Sequence, residues 1–503
     1  MQKLFLTWPS IFIKSILFLI FTMVACINSE AQSYTGYHAA TYAGVYSIVT
    51  NPADILNHRF RGDFNLVGIS TGIGNNIFKF NYTKRKDDKG GFTYLDPIKR
   101  EGKANFNTDI FGPSFLIKLS DKNAVALTTR VRAVTNLHGI STDLLNSLLP
   151  DFISPKLLGA PLHISNMAAD VNAWKEVALT YSRQVANTDY GVWKAGASVK
   201  YLGGLGALSF RTNNLSFIHD SIVDPADGKK KDAIINAQGN IVVSYTKNID
   251  SLSGSSNSYL PFKNPGIGLD IGVSYEYRDE MQVYETSYSD KTANYIWKVG
   301  ASITDIGFIR YNKQEANNIV INSAGTTYLM DQLKLPSDST EAYQVANYYK
   351  KLFNASTDAS AFTMQLPTTL HITYDRLFNK WLGIQGQINV PLVFSKLSYY
   401  VGNYNPIAVF ITPRVEIPLG GLYMPVSYNS ISGLQMGAAL RLGPLVIGSA
   451  SIINSRVVGK TKAADFYFIL RIPFFGYREY KEKKDKENAR LTKKQRRLLD
   501  CPR

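Results

Sequence analysis

The sequence predicts an all-β chain: a transmembrane antiparallel β-barrel with short helices in its loops. Three observations carry this. Apolar and polar residues alternate with period two along segment after segment. Many of these segments run well past the roughly 5–6 residues usual for a soluble strand, toward the 9–11 of a tilted membrane strand. The chain also begins with an export leader.

The leader has Lys3 and Lys14 at its start and an apolar core from Ile16 to Cys26. Ser29-Glu30-Ala31 places small residues at −3 and −1, so cleavage falls before Gln32. Two other readings stay open. Met23-Val24-Ala25-Cys26 is a loose lipobox, which would lipidate Cys26, and an uncleaved leader would be a membrane anchor, although its apolar run is shorter than the roughly 20 residues of a span. Past Ala31 no apolar run is long enough for a transmembrane helix.

The clearest strand is Gly266 to Arg278. Ile267, Leu269, Ile271, Val273, Tyr275 and Tyr277 face one way; Gly266, Gly268, Asp270, Gly272, Ser274, Glu276 and Arg278 face the other. Such a strand separates two different solvents. The same alternation recurs around Lys200, from Leu370 to Tyr374, from Leu382 to Asn389, around Arg414 and Glu416, around Arg441, and from Asp465 to Phe474. Lys200, Asp270, Glu276, Arg278, Arg414, Glu416 and Arg441 are therefore the candidate lumen-facing residues. Tyr275, Tyr277, Tyr399, Tyr400, Tyr423, Tyr428 and Tyr467 are read as the aromatic girdles of such a barrel.

Three stretches interrupt the pattern. Residues 141–172 hold Leu144, Leu145, Leu148 and Leu149 at helical spacing before three prolines. Residues 212–264 are rich in polar residues, with a weak strand from Ile241 to Tyr245. Residues 312–366 are similarly polar, with an amphipathic helix from Ser339 to Phe353. All three are expected as loops. This gives a leader at 1–31, an N-terminal plug segment at 32–59, a barrel at 60–476 and a basic tail at 477–503.

Composition agrees and excludes alternatives. Charged residues make up 19% of the 503, with 30 Tyr, 26 Phe and 37 Gly, and the mean hydropathy is −0.10. That is too structured in composition for disorder and too polar for a helical membrane protein. Two Cys exclude a disulfide scaffold and a cysteine-built metal site. The six His share no ligand spacing. The nucleophile-elbow, zinc-protease and phosphate-loop motifs are absent, so no catalytic residue, metal or cofactor is expected.

Asn51-Pro52-Ala53 follows the leader, after Tyr42-Ala43-Gly44-Val45-Tyr46. Pro52 fixes its own φ and biases Asn51 to an extended conformation, and the Asn side chain can bond nearby backbone. A structural or plugging role is expected. An Asn-Pro-Ala motif ahead of long amphipathic strands resembles the FadL-like outer-membrane barrels. The stretch Thr35 to Ala53, the Leu366 to Thr369 start of a late strand and Ala31-Gln32 resemble more fully an uncharacterised branch of Bacteroidota barrels. The resemblance implies about 14 strands. It also implies either transport of a hydrophobic or small solute, or a structural, type IX secretion-associated barrel that anchors protein partners at the cell surface or in the periplasm. Some relatives carry a peptidoglycan-binding domain after the barrel; the residues after 476 are read here as a tail. Asp220-Ser221-Ile222, Asp250-Ser251-Leu252 and Asp338-Ser339-Thr340 resemble the O-glycosylation triplet of that bacterial group.

Net charge is +16. The tail holds eleven Lys or Arg against five Asp or Glu, a share of +6, and the leader adds +1, which leaves +9 for residues 32–476. For an exported barrel, nucleic acid is not the expected acidic partner. The expected partners are outer-membrane lipid and lipopolysaccharide, and the barrel-assembly machinery during insertion.

Overall fold

In the computed structural model, residues 33–476 are described, apart from 39, 59, 82–91, 95–100, 121, 141–158, 165, 189, 247–263, 279–294, 313–315, 334–347, 349, 359–360, 393–401 and 458–459. The leader, the basic tail, the helix at 144–149, most of the helix expected from Ser339 to Phe353, and the triplets at 250 and 338 lie outside the described residues.

The chain forms a closed, antiparallel barrel of 14 strands. In chain order these are β1 (Phe60–Asn75), β2 (Gly102–Phe111 and Ser114–Ser120), β3 (Asn123–Ile140), β4 (Ala168–Asn187) and β5 (Gly191–Val223). They continue with β6 (Lys230–Thr246 and Pro265–Tyr277), β7 (Trp297–Tyr311 and Ala316–Leu329) and β8 (Ser356–Asp358, Phe362–Gln365 and Thr369–Leu377). The rest are β9 (Leu382–Pro391), β10 (Ala408–Ile417), β11 (Gly420–Tyr423 and Val426–Asn429), β12 (Gly433–Met436 and Ala438–Leu442), β13 (Leu445–Ser449) and β14 (Ala463–Gly476). Each strand pairs with its sequence neighbours, and β1 pairs with β14 from Phe60↔Gly476 to Gly74↔Ala463. Closure leaves no open edge in lipid, where an unpaired backbone group costs several kcal/mol.

Alternation sets which face is wet. Ile267, Leu269, Ile271 and Val273 are exposed on the outer face, where lipid would cover them. Asp270, Ser274 and Glu276, between them, are buried toward the lumen. Tyr190, Trp193, Tyr275, Tyr277 and Trp297 form a stack of rings on the outside near one rim, with Tyr277 5.2 Å from Trp297 and Trp193 4.8 Å from Tyr275. That arrangement suits a membrane interface. Tyr423 and Tyr467, expected in the girdle, are corrections: both are fully buried and point inward, where Tyr423 donates to Glu416 and Tyr467 to the Thr35 carbonyl. Their inward register outweighs their proximity to strand ends: Tyr467 alternates in step with Asp465 and Arg471 on β14, and Tyr423 pairs with inward Arg414 on β10.

Two more expectations change. Of the stretch 212–264, the described part 212–246 is largely strand: β5 runs to Val223, turns, and pairs with β6 from Lys230↔Val223 to Tyr245↔Leu208. β7 continues alongside β6 from Thr246↔Ala316 to Ala233↔Leu329, so 316–329 is strand as well, ending in the short helix Met330–Leu333. β5 spans 33 residues, about 110 Å at roughly 3.3 Å each, far more than a bilayer needs. Its upper part projects beyond the membrane-spanning ring with β6 and β7. There the strands leave the lipid–lumen regime: one face packs small apolar clusters such as Leu162, Ile164, Phe217 and Ala237, the regular alternation fades, and the sequence reads as loop.

Connections divide by end. Turns 188–190, 378–381, 418–419 and 443–444 are short and share the end that carries Phe60 and Gly476. The connections 141–167, 330–355 and 392–407 lie at the other, which in outer-membrane barrels is the cell exterior, whereas 278–296 is a long connection at the short-turn end.

The β1–β14 seam carries a fully buried ion pair, Arg471 Nη1 to Asp63 Oδ2 at 3.0 Å. Removing one partner of such a pair costs about 3–5 kcal/mol, because the other is left charged and dry. Arg471→Met is therefore expected to lower the urea midpoint of unfolding in lipid, read by heat-modifiable gel mobility; an unchanged midpoint contradicts this role.

Candidate functional site: a filled lumen

The segment 33–58 lies inside the barrel. Two short 3-10 turns, Gly44–Val49 and Pro52–Leu56, shape it, and nearly all its residues are buried. Asn51 caps the second turn: its side chain accepts from the Ala53 amide at 2.9 Å, and Pro52 occupies the first position, where a missing N–H costs nothing.

The wall makes room for this motif by omitting side chains. A Cβ at Gly196 on β5 would come within 2.6 Å of the Pro52 and Ala53 backbone. A Cβ at Gly272 on β6 would overlap Asn51 Oδ1, and one at Gly300 on β7 would lie 3.0 Å from Asn51 Nδ2. Gly196 pairs with Gly272, and Gly300 with the next inward residue of β6, Ser274, so the three form one cradle across adjacent strands. Asn51 Nδ2 donates to the Val273 carbonyl at 3.0 Å, Ser182 Oγ to the Ala53 carbonyl at 3.0 Å, and Ser302 Oγ to the Thr50 carbonyl.

Polar wall groups fasten the rest. Lys298 pairs with Asp54 at 2.9 Å, Lys194 donates to Asn57, Lys118 to the His58 carbonyl at 2.5 Å and Arg471 to the Tyr42 carbonyl. Glu416 accepts from the Thr41 hydroxyl at 3.0 Å, and Asp63 from the Val45 amide at 3.0 Å. An aromatic knob completes the seating. Tyr34 and Tyr46 cross edge to face at 4.7 Å, Tyr46 sits 4.8 Å from Phe111, and Tyr37 lies 5.6 Å from Tyr423.

Above this segment the lumen holds paired charge. Arg130 pairs with Asp109 at 2.5 Å and Glu176 at 3.1 Å; Arg132 pairs with Asp305 at 2.8 Å. Lys200 bridges Asp270 and Asp305, at 2.7 Å each. With His38, Ile48, Val49 and Thr50 from below, Asp109, Arg130, Arg132, Lys200, Asp270 and Asp305 line a cavity of about 60 Å³. At roughly 10–15 Å³ of such volume per water, it holds about four to six waters.

A second element crosses the lumen at the far side of that cavity. Residues 402–405, from the β9–β10 connection, bridge to β8 through Gly402 and Gln365. They then reach the opposite wall. Asn403 Nδ2 donates to the Val134 carbonyl and Asn136 Oδ1, both at 3.0 Å, and to the Asp170 carbonyl at 3.2 Å. Asn136 Nδ2 in turn donates to the Tyr404 carbonyl at 2.9 Å. Asn405, bonded to Thr369, lines the cavity.

The residues singled out from sequence are placed as follows. Asn51, Pro52 and Ala53 lie in the glycine cradle. Lys200 and Asp270 line the cavity. Glu276 takes Lys194 at 2.5 Å and Arg278 at 2.7 Å, the latter half-exposed at the rim. Arg414 holds Asp375 at 2.8 Å and Glu416 at 3.0 Å. Arg441 instead donates to the carbonyls of Ile417, Pro418 and Gly420, clamping the β10–β11 turn, with Tyr42 under its guanidinium at 4.3 Å. Sequence reading missed Arg130, Arg132, Asp109, Glu176 and Asp305. Arg130 and Arg132 sit two apart among inward Ala126, Thr128 and Val134, and that spacing was the available signal. Asn403 had none, because an inward-folded loop has no period.

This filled, charge-laced lumen inside a 14-strand ring defines an outer-membrane type of β-barrel. The chain belongs to a family of unknown function, DUF5723, which matches residues 52–450. No curated protein matches the sequence. Among solved structures it is similar to the toluene transporter TbuX of Ralstonia pickettii, at 11% identity and a TM-score of 0.39, covering 88% of this chain and 98% of that one. It is also similar to a FadL homologue of Pseudomonas aeruginosa (10%, TM-score 0.38, 88% and 97%) and to the toluene transporter TodX of Pseudomonas putida (11%, TM-score 0.32, 88% and 99%).

Gly272→Val is expected to eject the Asn51-Pro52-Ala53 segment, seen as protease cleavage within 33–58 of a folded barrel. Gly386→Ala, whose added Cβ meets nothing nearer than 4.0 Å, leaves it protected. Equal protection in both variants contradicts the cradle.

His58 gives a pH dependence. The Gly44 amide donates to its Nδ1 at 3.3 Å, which leaves the proton on Nε2 facing Ser47 Oγ at 3.2 Å. Burial first, then Lys118, Arg471 and Lys298, holds this imidazole well below its ordinary value of 6.5. Asp63, on β1 and paired with Arg471, is the neighbouring acid. The docked form keeps His58 neutral, whereas an undocked segment would protonate it near its ordinary value. Docking is thus at full strength above about pH 6.5 and weakens as pH falls below it. Hydrogen-exchange protection of residues 42–48, corrected for intrinsic rates, is expected to drop between pH 7.5 and 5.5, and His58→Gln to flatten that drop. A His58→Gln profile as steep as the wild type's contradicts it.

Proposed function

We propose that this protein is an outer-membrane channel for small polar solutes, closed at rest by its own N-terminal segment, and that it performs no catalysis. The observation that carries the reading is the lumen between plug and loop: a cavity of about 60 Å³ walled by Arg130, Arg132, Lys200, Asp109, Asp270 and Asp305. Such a wall is costly for an apolar solute, which would strip water from paired ions without replacing it. It suits hydrated molecules, which can exchange hydrogen bonds with it. Of the two solute classes expected from sequence, hydrophobic and small, the described cavity favours the small polar one. The outer apolar band calls for membrane lipid as the surrounding partner.

The plug is held by single hydrogen bonds, one ion pair and a buried cluster of Tyr34, Tyr37 and Tyr46 against the wall. All of these are non-covalent, and the strand pairing that closes the barrel through β1 and β14 does not run through the plug, as a gate requires. The test opens the lumen from both ends: Gly272→Val to displace the plug, with Asn403–Asn405 replaced by Gly-Ser-Gly. Liposomes carrying this folded variant are expected to swell with a pentose or glycine, while the wild type stays at the lipid background. A folded variant that admits neither solute overturns the channel reading.

A further inference from the structure

The geometry points to a second closure: we propose that residues 402–405 are a gate in series with the plug, so that solute passes through an occluded chamber with its own inner and outer doors. This rests on the channel reading above and adds to it.

The segment belongs to the connection between β9 and β10, yet its bonds end on β3 and β4, about half the ring away. Asn403 is completely buried and Asn136, its main partner, points inward from β3. The segment therefore spans the lumen and does not lie over the rim. Its crossing point is above Arg132 on β3, as Asn136 is four residues further toward the long-loop end. The plug lies below, where Ser182, Ser302 and Lys118 hold it. The two obstacles share no contact among the described hydrogen bonds and ion pairs, and the charged cavity separates them. His38 and Thr50 line it from the plug side and Asn405 from the other.

The fastening chemistry differs as well. The plug is locked by an ion pair, by glycine-to-backbone contact and by aromatic packing. The crossing segment carries no charge: its anchors are hydrogen bonds donated by the side-chain amides of Asn403, Asn136 and Asn105 to carbonyl groups. Asn403 Oδ1 and Asn105 Oδ1 are buried and have no hydrogen-bond partner among the described residues. Acceptors left free by the protein are open to water or to a solute bearing hydroxyl or amine groups, which can exchange for one another at such a site. The upper door is thus suited to yield to neutral, hydrogen-bonding solute, independently of the plug.

The test compares four chains in liposomes, each first shown to be folded by heat-modifiable mobility: wild type, Gly272→Val, the Gly-Ser-Gly replacement at 403–405, and the two combined. Pentose-driven swelling is the readout. Series gating predicts background rates for the first three and at least a tenfold rise for the fourth. If Gly272→Val alone swells as fast as the combined chain, 402–405 is no barrier and the inference falls, while the channel reading stands. If the loop replacement alone does so, the plug is no barrier and series gating falls again. If the combined chain stays at background, the channel reading itself fails and takes the inference with it. Should Gly272→Val misfold, deletion of residues 33–58 replaces it in the same comparison.

Discussion

Charge buried inside a barrel must find opposite charge, and this requirement organises the whole lumen. The inward faces of β2 to β7 carry Arg130, Arg132 and Lys200 against Asp109, Glu176, Asp270 and Asp305, all within 4 Å of a partner. Isolated, each ion would lose several kcal/mol of hydration; paired and hydrogen-bonded, they form a network that fixes the strands relative to one another. β10 and β8 repeat the arrangement through Arg414, Asp375 and Glu416, and the seam does so through Arg471 and Asp63.

The N-terminal segment is part of that same accounting. Without it, the Lys298 ammonium would lose Asp54, its ion-pair partner, and Asp63 would lose the Val45 amide. Plug and wall are therefore mutually stabilising, and the seam of the barrel is where they meet, since Arg471 binds both Asp63 and the Tyr42 carbonyl. Glycine makes the contact possible. Gly196, Gly272 and Gly300 are inward positions where a side chain would take the space of the Pro52-Ala53 backbone or of the Asn51 side chain.

Much of this was legible in the sequence, and the reasons are physical. The strand from Gly266 to Tyr277 could be read because lipid and lumen impose opposite polarity on alternate residues. The same alternation identified Asp270, Glu276, Lys200 and Arg414 as inward. What could not be read was whatever lay outside that two-solvent regime. The hairpin 208–246 extends beyond the membrane ring, where only small apolar clusters pack against it, and looked like a loop. Residues 402–405 fold inward without any period. Arg441 looked like a pore charge, yet its register brings it under the β10–β11 turn, where carbonyls and not acids receive it. Tyr423 and Tyr467 show that an aromatic near a strand end belongs to the girdle only if its register points outward.

The central claim is that residues 33–58 sit inside the closed barrel in the membrane. A disulfide between Thr50→Cys and Ser302→Cys tests it most directly, because Ser302 Oγ donates to the Thr50 carbonyl across the lumen face of β7. Mild oxidation of intact outer membranes is expected to link the two residues in nearly all of the folded protein, with a control pair from residue 50 to outward-facing Val273 unlinked. Folded barrel that stays unlinked at 50 and 302 contradicts the account.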